Sequence, residues 1–189
     1  MESHKIEIQL VEAMPIIEHC LKVFSPACQR IELVGSARRG KQLIGDAEIV
    51  CIPKVQLNLL DEEYPILDMF IADLLAQDKE GIAEMTINGP KQKQFSLKIE
   101  PAFFFDFHIT DAARWGYKVA IHTGPWAFSK QLVTPRKYQT EEGRPGLMPS
   151  NLKVKDCLYW DGKQIVPTPE EIDVLKLTVG KWVEPSKRI

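Results

Sequence analysis

The stretch Gly35-Ser36-Ala37-Arg38-Arg39-Gly40, followed after a short spacer by Gly45-Asp46-Ala47-Glu48, constrains this chain more than any other. Ile31-Glu32-Leu33-Val34 leads in and Glu48-Ile49-Val50-Cys51-Ile52 leads out, and both apolar runs read as strands. Alternate side chains of a strand share a face, so Asp46 and Glu48 fall together and Ala47 and Ile49 fall opposite. Two neighbouring acids repel, and a fold tolerates them readily when a cation sits between them. A glycine-serine turn lets backbone amides approach an oxyanion, and Arg38 and Arg39 supply forked donors suited to phosphate. The expectation is a divalent metal site beside a phosphate cradle.

At 189 residues the chain has room for one ordinary domain or two small lobes sharing a core. Its four cysteines, Cys20, Cys28, Cys51 and Cys157, are widely spaced, with no C-x-x-C pair. They read as reduced thiols rather than a zinc site or a disulfide framework. No apolar run approaches the roughly 20 residues of a membrane span. The opening Met-Glu-Ser-His-Lys lacks the apolar region of a signal peptide, so a soluble, cytoplasmic protein with no membrane partner is expected. The formal net charge of −2 argues against indiscriminate nucleic-acid binding.

In chain order, Leu10, Ala13, Met14, Ile17, Leu21 and Phe24 recur at helical spacing, with Pro15 either starting that helix near Ala13 or kinking it. Asp61-Glu62 offers an N-cap to a second amphipathic helix whose core side is Tyr64, Leu67, Met69, Phe70, Leu74 and Leu75. Beyond a turn at Asn88-Gly89-Pro90, residues 94–99 and 103–109 read as strands. In the second of these Asp106 stands among four phenylalanines. It is either an edge-strand acid facing water or a third carboxylate meeting Asp46 and Glu48. Thr110 or Asp111 caps a helix running through Trp115 to His122, and Thr123-Gly124-Pro125 breaks it. Trp126 to Val133 forms a short helix, and 134–151 reads as a mobile loop. Leu152–Trp160 and Lys163–Val166 flank an Asp161-Gly162 hairpin turn. Thr168 as N-cap, Pro169 at N1 and Glu171 in a capping box start the last helix, which Gly180 closes.

Together, an anion-binding turn, arginine and the hard oxygens of Asp46, Glu48 and Asp106 suit Mg²⁺ and indicate phosphoryl or nucleotidyl transfer. The pattern Gly35-Ser36-x-Arg38-Arg39-Gly40 with Gly45-Asp46-x-Glu48 resembles the signature of the polymerase beta-like nucleotidyltransferases, family X DNA polymerases in particular. Phe105-Asp106-Phe107 sits where that family keeps its third acid. His122-Thr123-Gly124-Pro125 is similar to its Phe-Thr-Gly turn, and Val166–Pro185 resembles its closing segment. Glu48 stands where Asp is more usual, and Ile121-His122 where the family has an aromatic pair.

The resemblance implies an α+β fold: a nucleotidyltransferase palm over residues 1–111, with a mixed, mainly antiparallel sheet, flanking helices and the N-terminal helix. A small C-terminal α/β thumb would occupy 112–189. Asp46, Glu48 and Asp106 would be catalytic and hold two Mg²⁺ ions, with Mn²⁺ as a substitute. Gly35, Ser36, Arg39, Gly45, His122, Thr123, Gly124 and Ser129 would bind nucleotide. Lys130, Arg136, Lys137, Arg144, Lys153 and Lys155 would contact nucleic acid, and Trp126 and Trp160 would stack on a base or belong to the core.

The implied activity is template-directed DNA polymerisation, adding a dNTP to a primer 3′-hydroxyl with release of pyrophosphate, by a monomer that fills short gaps in repair or phage replication. About thirty residues precede the Gly35 strand, so the expected form is a minimal palm plus thumb without a lyase domain. The alternatives are transfer to an RNA end, a protein or a small molecule, template-independent terminal transfer, and non-catalytic nucleic-acid binding.

Overall fold

The computed structural model describes residues 7–57, 61, 63–100 and 102–189; the Met-Glu-Ser-His-Lys opening and Glu62 lie outside the described residues. The elements run β1 (Ile8–Gln9), α1 (Leu10–Phe24), β2 (Cys28–Leu33), α2 (Gly35–Arg38), β3 (Leu43–Ile44), β4 (Asp46–Pro53), β5 (Val55–Leu57), β6 (Glu63–Pro65), α3 (Ile66–Gln77) and β7 (Ala83–Asn88). They continue with β8 (Gln92–Leu97), β9 (Phe103–Ile109), α4 (Trp115–Thr123), α5 (Trp126–Val133), β10 (Leu152–Lys155), β11 (Leu158–Asp161), β12 (Gln164–Val166) and α6 (Glu171–Thr178). The fold is α+β, with a mixed sheet and flanking helices. Among the described residues, no helix is long and apolar enough to cross a membrane. The chain divides into two compact units: one reaches Leu33 and resumes over Lys41–Thr110, and the other joins Val34–Gly40 to Asp111–Ile189.

The first unit is built on a five-stranded sheet of order β2-β4-β9-β8-β7. Only β4 and β9 run parallel, and the other pairs are antiparallel. Strand alternation sends Phe103, Phe105 and Phe107 of β9 to one face, where all are buried. Phe95 of β8 stacks on Phe105 at 5.2 Å, and Phe24 of α1 meets Phe107 at 4.8 Å and Phe70 of α3 at 5.8 Å. Aromatic pairs at such separations add about 0.5–1.5 kcal/mol each beyond the area they bury. The helices are thereby fixed on this face, and Asp106 is turned to the other.

Several expectations are corrected here. Helix α1 begins at Leu10 rather than near Ala13, and Pro15 lies inside it, as the alternative reading allowed. Pro15 is exposed and so is Val11, whose carbonyl lacks the bond that Pro15 cannot make, and water can satisfy it. Asp61 does not cap α3, because the chain forms β6 first and Pro65 occupies the N-cap without a side-chain bond. Tyr64 is therefore in a strand, and Met69 is exposed. Strand β7 lies in the stretch read as helix-to-turn connection, and β8 starts at Gln92 rather than residue 94. The edge-strand reading of Asp106 fails, since β9 is the middle strand and Asp106 is only 7% exposed.

The second unit packs α4, α5 and α6 with the antiparallel sheet β10-β11-β12 around Ala120, Leu132, Tyr159, Val174 and Leu175. The Tyr159 hydroxyl donates to the Leu132 carbonyl at 3.1 Å, so the buried phenol is satisfied. Neither Thr110 nor Asp111 caps α4. Asp111 Oδ1 accepts the Arg114 amide at 3.0 Å, one turn ahead of the helix. Residues 134–151 form a tied loop rather than a mobile one, held by the bridges Pro135–Met148 and Gln139–Pro145. The strand read over Leu152–Trp160 is itself a hairpin, turned by Asp156 and Cys157 at φ 52° and 59°. The N-cap of α6 is Glu170, boxed with Asp173, rather than Thr168. Gly180 at φ 87° closes that helix as expected.

Candidate functional site

Within the first unit, Asp46 and Glu48 stand on one face of β4, and the parallel register sets Glu48 beside Asp106 of β9. Their backbones thus put all three acids on a common sheet face. The carboxylates do not close into one set, for among the described residues the three have no oxygens all within 4.8 Å of one another. Glu48 Oε1 instead lies 3.9 Å from His108 Nε2.

Asp106 is the most enclosed of the three. Its Oδ1 accepts the side-chain amide of Gln94 at 2.7 Å and that of Gln92 at 3.3 Å. These glutamines come from alternate positions of β8, the same face as Asp106. Neither they nor His108 stood out as site residues in the sequence; the Gln-x-Gln alternation beside Asp-x-His was the available signal. Gly45 precedes β4 and is half-buried.

Within the second unit, Gly35–Arg38 is a single helical turn, and Gly35 takes φ 69° to enter it. The two arginines part company there. Arg38 donates to both oxygens of Glu171, at 3.0 and 2.8 Å, and to Thr123 Oγ1 at 2.6 Å. Its fork is spent on a carboxylate inside the unit rather than held out for phosphate. Arg39 Nη1 donates to the Thr123 carbonyl at 2.7 Å. Ser36 is half-buried.

Thr123 is completely buried and His122 half-buried at the end of α4. Gly124 is tightly enclosed: a Cβ there would come within 2.9 Å of Phe128 and 3.0 Å of Ser129 Oγ. Ser129 is buried and donates to the Ile121 carbonyl at 2.6 Å, so its hydroxyl braces the turn. Glu171 also accepts from Arg188 Nη1 at 2.6 Å, completing an Arg-Glu-Arg triad.

The basic candidates divide by what holds them. Arg136 donates to the carbonyls of Leu147 and Thr178, at 3.1 and 3.0 Å, and so fastens the 134–151 loop. Lys130 is half-buried with its ammonium 4.4 Å from the centre of the Trp126 ring. Lys137 sits over Tyr138 at 5.0 Å. Arg144 is half-buried, and Lys153 and Lys155 are exposed at alternate positions of β10. Trp126 is 67% exposed, with its indole N–H donating to Glu142 at 3.1 Å, and so does not belong to the core. Trp160 is half-buried.

Compared with known proteins, the chain matches no family model, and no curated protein matches it.

Proposed function

We propose that this chain is a nucleotidyltransferase of the polymerase beta-like kind, acting as a template-directed DNA polymerase of the family X type on short gaps. The observation that carries the reading is the register pairing of Glu48 with Asp106, with Asp46 on the same face. Metal is implied by that reading, and the donors fit it. They are hard carboxylate oxygens, which suit Mg²⁺, and Asp106 keeps an oxygen, Oδ2, to which no described residue donates. Asp46, Glu48 and Asp106 would hold the ions, which when bound neutralise charge on the attacking and leaving oxygens.

The chain's own groups would do the rest. The backbone of Gly35 and Ser36 would approach the triphosphate closely, and Arg39 would offset its charge. Thr123 and Gly124 would form the sugar side, with Ser129 bracing them. In the reaction the 3′-hydroxyl oxygen bonds to the α-phosphorus, the bond to pyrophosphate breaks, and the hydroxyl proton passes to base or water.

The test is extension of a labelled primer on gapped, templated and single-stranded DNA, one dNTP at a time, with Mg²⁺ or Mn²⁺. Template-matched incorporation that Asp106→Ala abolishes without unfolding the protein is expected; incorporation unchanged in that variant refutes the reading. A second reading, transfer to an RNA end, a protein or a small molecule, is favoured by the engagement of Arg136 within the fold and the net charge of −2. Incorporation blind to template would favour it.

A further inference from the structure

We infer that Gln94, oriented by Thr86, is the positioning residue that decides which oxygen of Asp106 is offered to a divalent cation; this rests on the metal-dependent reading above. Gln94 and Asp106 are register partners on adjacent antiparallel strands. The Gln94 Nε2 donates to Asp106 Oδ1 at 2.7 Å, and Gln92 Nε2 adds a longer bond to the same oxygen at 3.3 Å. Both amides converge on Oδ1, and no described residue donates to Oδ2. Oδ1 is thus engaged by protein, and Oδ2, which is not a buried atom lacking a partner, is the oxygen left open to a ligand. With Oδ1 held by protein, Asp106 would offer Oδ2 to a cation.

A glutamine amide can present either end, so something must choose. Thr86 Oγ1 lies 2.7 Å from Gln94 Oε1 and 3.2 Å from the Gln94 main-chain oxygen, and its single proton serves the nearer acceptor. With Oε1 accepting, Nε2 is left to donate to Asp106. Thr86 reaches Gln94 because the β7–β8 register slips there: Met85 faces Phe95 but Ile87 faces Gln94, leaving Thr86 as the extra residue. Bulges re-aim side chains in this way. The result is a relay across three strands, from the Thr86 hydroxyl through the Gln94 amide to Asp106. All of its donors are neutral, so it orients the carboxylate without placing a positive charge where it would compete with a cation.

The experiment titrates the full chain, free of nucleotide, with Mn²⁺ and reads unbound ion by electron paramagnetic resonance. Gln94→Leu is expected to weaken Mn²⁺ binding about 10–100-fold, the usual loss when a partner of a metal ligand is removed. Thr86→Val is expected to weaken it less, and Thr86→Ser to restore it. In primer extension both weakened variants should lose kcat with little change in the KM for dNTP. Because Thr86 is exposed, its variants test the relay even if Gln94→Leu fails to fold. Mn²⁺ affinity within twofold of the parent in both Gln94→Leu and Thr86→Val would overturn the inference while leaving the metal site standing. If the parent protein binds no Mn²⁺ that Asp106→Ala removes, the metal-dependent reading itself fails, and the inference with it.

Discussion

Replacing Glu171 by alanine should destabilise the C-terminal unit more than almost any other exchange of a polar residue there. Its carboxylate lies between Arg38 and Arg188, at 2.8 and 2.6 Å, with side-chain exposures of 8%, 20% and 0% for Glu171, Arg38 and Arg188. Arg188 keeps the Val183 carbonyl as acceptor for Nε and Nη2, at 3.1 and 3.0 Å, but Nη1 has Glu171. Truncation removes the carboxylate that lies between two enclosed guanidinium groups, and losing one partner of such a buried set costs about 3–5 kcal/mol. For a chain of this size each kcal/mol corresponds to about 2–4 °C, so a fall of roughly 6–20 °C in Tm is expected. Tryptophan fluorescence isolates the effect, because Trp115, Trp126, Trp160 and Trp182 all belong to this unit. Urea unfolding followed at that signal gives the free energy. A combined Glu171→Leu, Arg38→Met, Arg188→Met protein should recover most of the loss, since apolar replacement of a whole buried ionic set is often neutral. A cost below about 1 kcal/mol for Glu171→Ala would show that the triad is solvated and the reasoning wrong.

Gly116→Ala should destabilise the same unit by about 1–3 kcal/mol in urea unfolding, opposite in sign to the usual helix preference for alanine. The added Cβ would come within 2.3 Å of the Thr168 carbonyl oxygen and 2.4 Å of that of Glu170. Alkaline pH should loosen this unit as well. Burial pushes the Tyr117 phenol up to about 12 and raises that of Tyr159 too. Both are then neutral in the folded unit while the unfolded chain ionises near pH 10. Their contribution is complete below about pH 10 and is lost as pH rises towards 12, which fluorescence-monitored unfolding across that range reads directly.

Where periodicity or a breaker was strong, the fold was legible. Phe103–Ile109 and Trp126–Val133 fall where the alternation and the flanking prolines put them. Strand β7 was not, because Glu84, Thr86 and Ile87 are all exposed and the bulge at Thr86 breaks the alternation a strand announces itself by. The 134–151 segment misled for a different reason. Its proline and glycine content excludes regular structure, but order there comes from main-chain bonds, such as Leu147 N–H to Gln131 O at 2.8 Å and Arg136 N–H to Met148 O at 2.7 Å. Composition does not encode those. Helix starts moved by a few residues because several side chains could have served as caps, and tertiary packing chose among them.

The acids show how far local pattern reaches. Alternation alone places Asp46 with Glu48, but that β9 lies parallel beside β4, bringing Asp106 into register with Glu48, is a nonlocal pairing that no spacing encodes. The arginines show where pattern stops. As neighbours in a loop, Arg38 and Arg39 look interchangeable, both suited to phosphate. Within one helical turn successive side chains diverge by about 100°, so the two reach different partners. Arg38 finds a carboxylate 133 residues further along and Arg39 a main-chain carbonyl. A guanidinium bonded to both oxygens of a buried carboxylate has its charge matched inside the fold, and drawing it away would expose Glu171 to the cost worked out above. Of the pair, it is therefore Arg38 that is committed to a buried carboxylate, and in holding it Arg38 fixes the turn that carries Arg39.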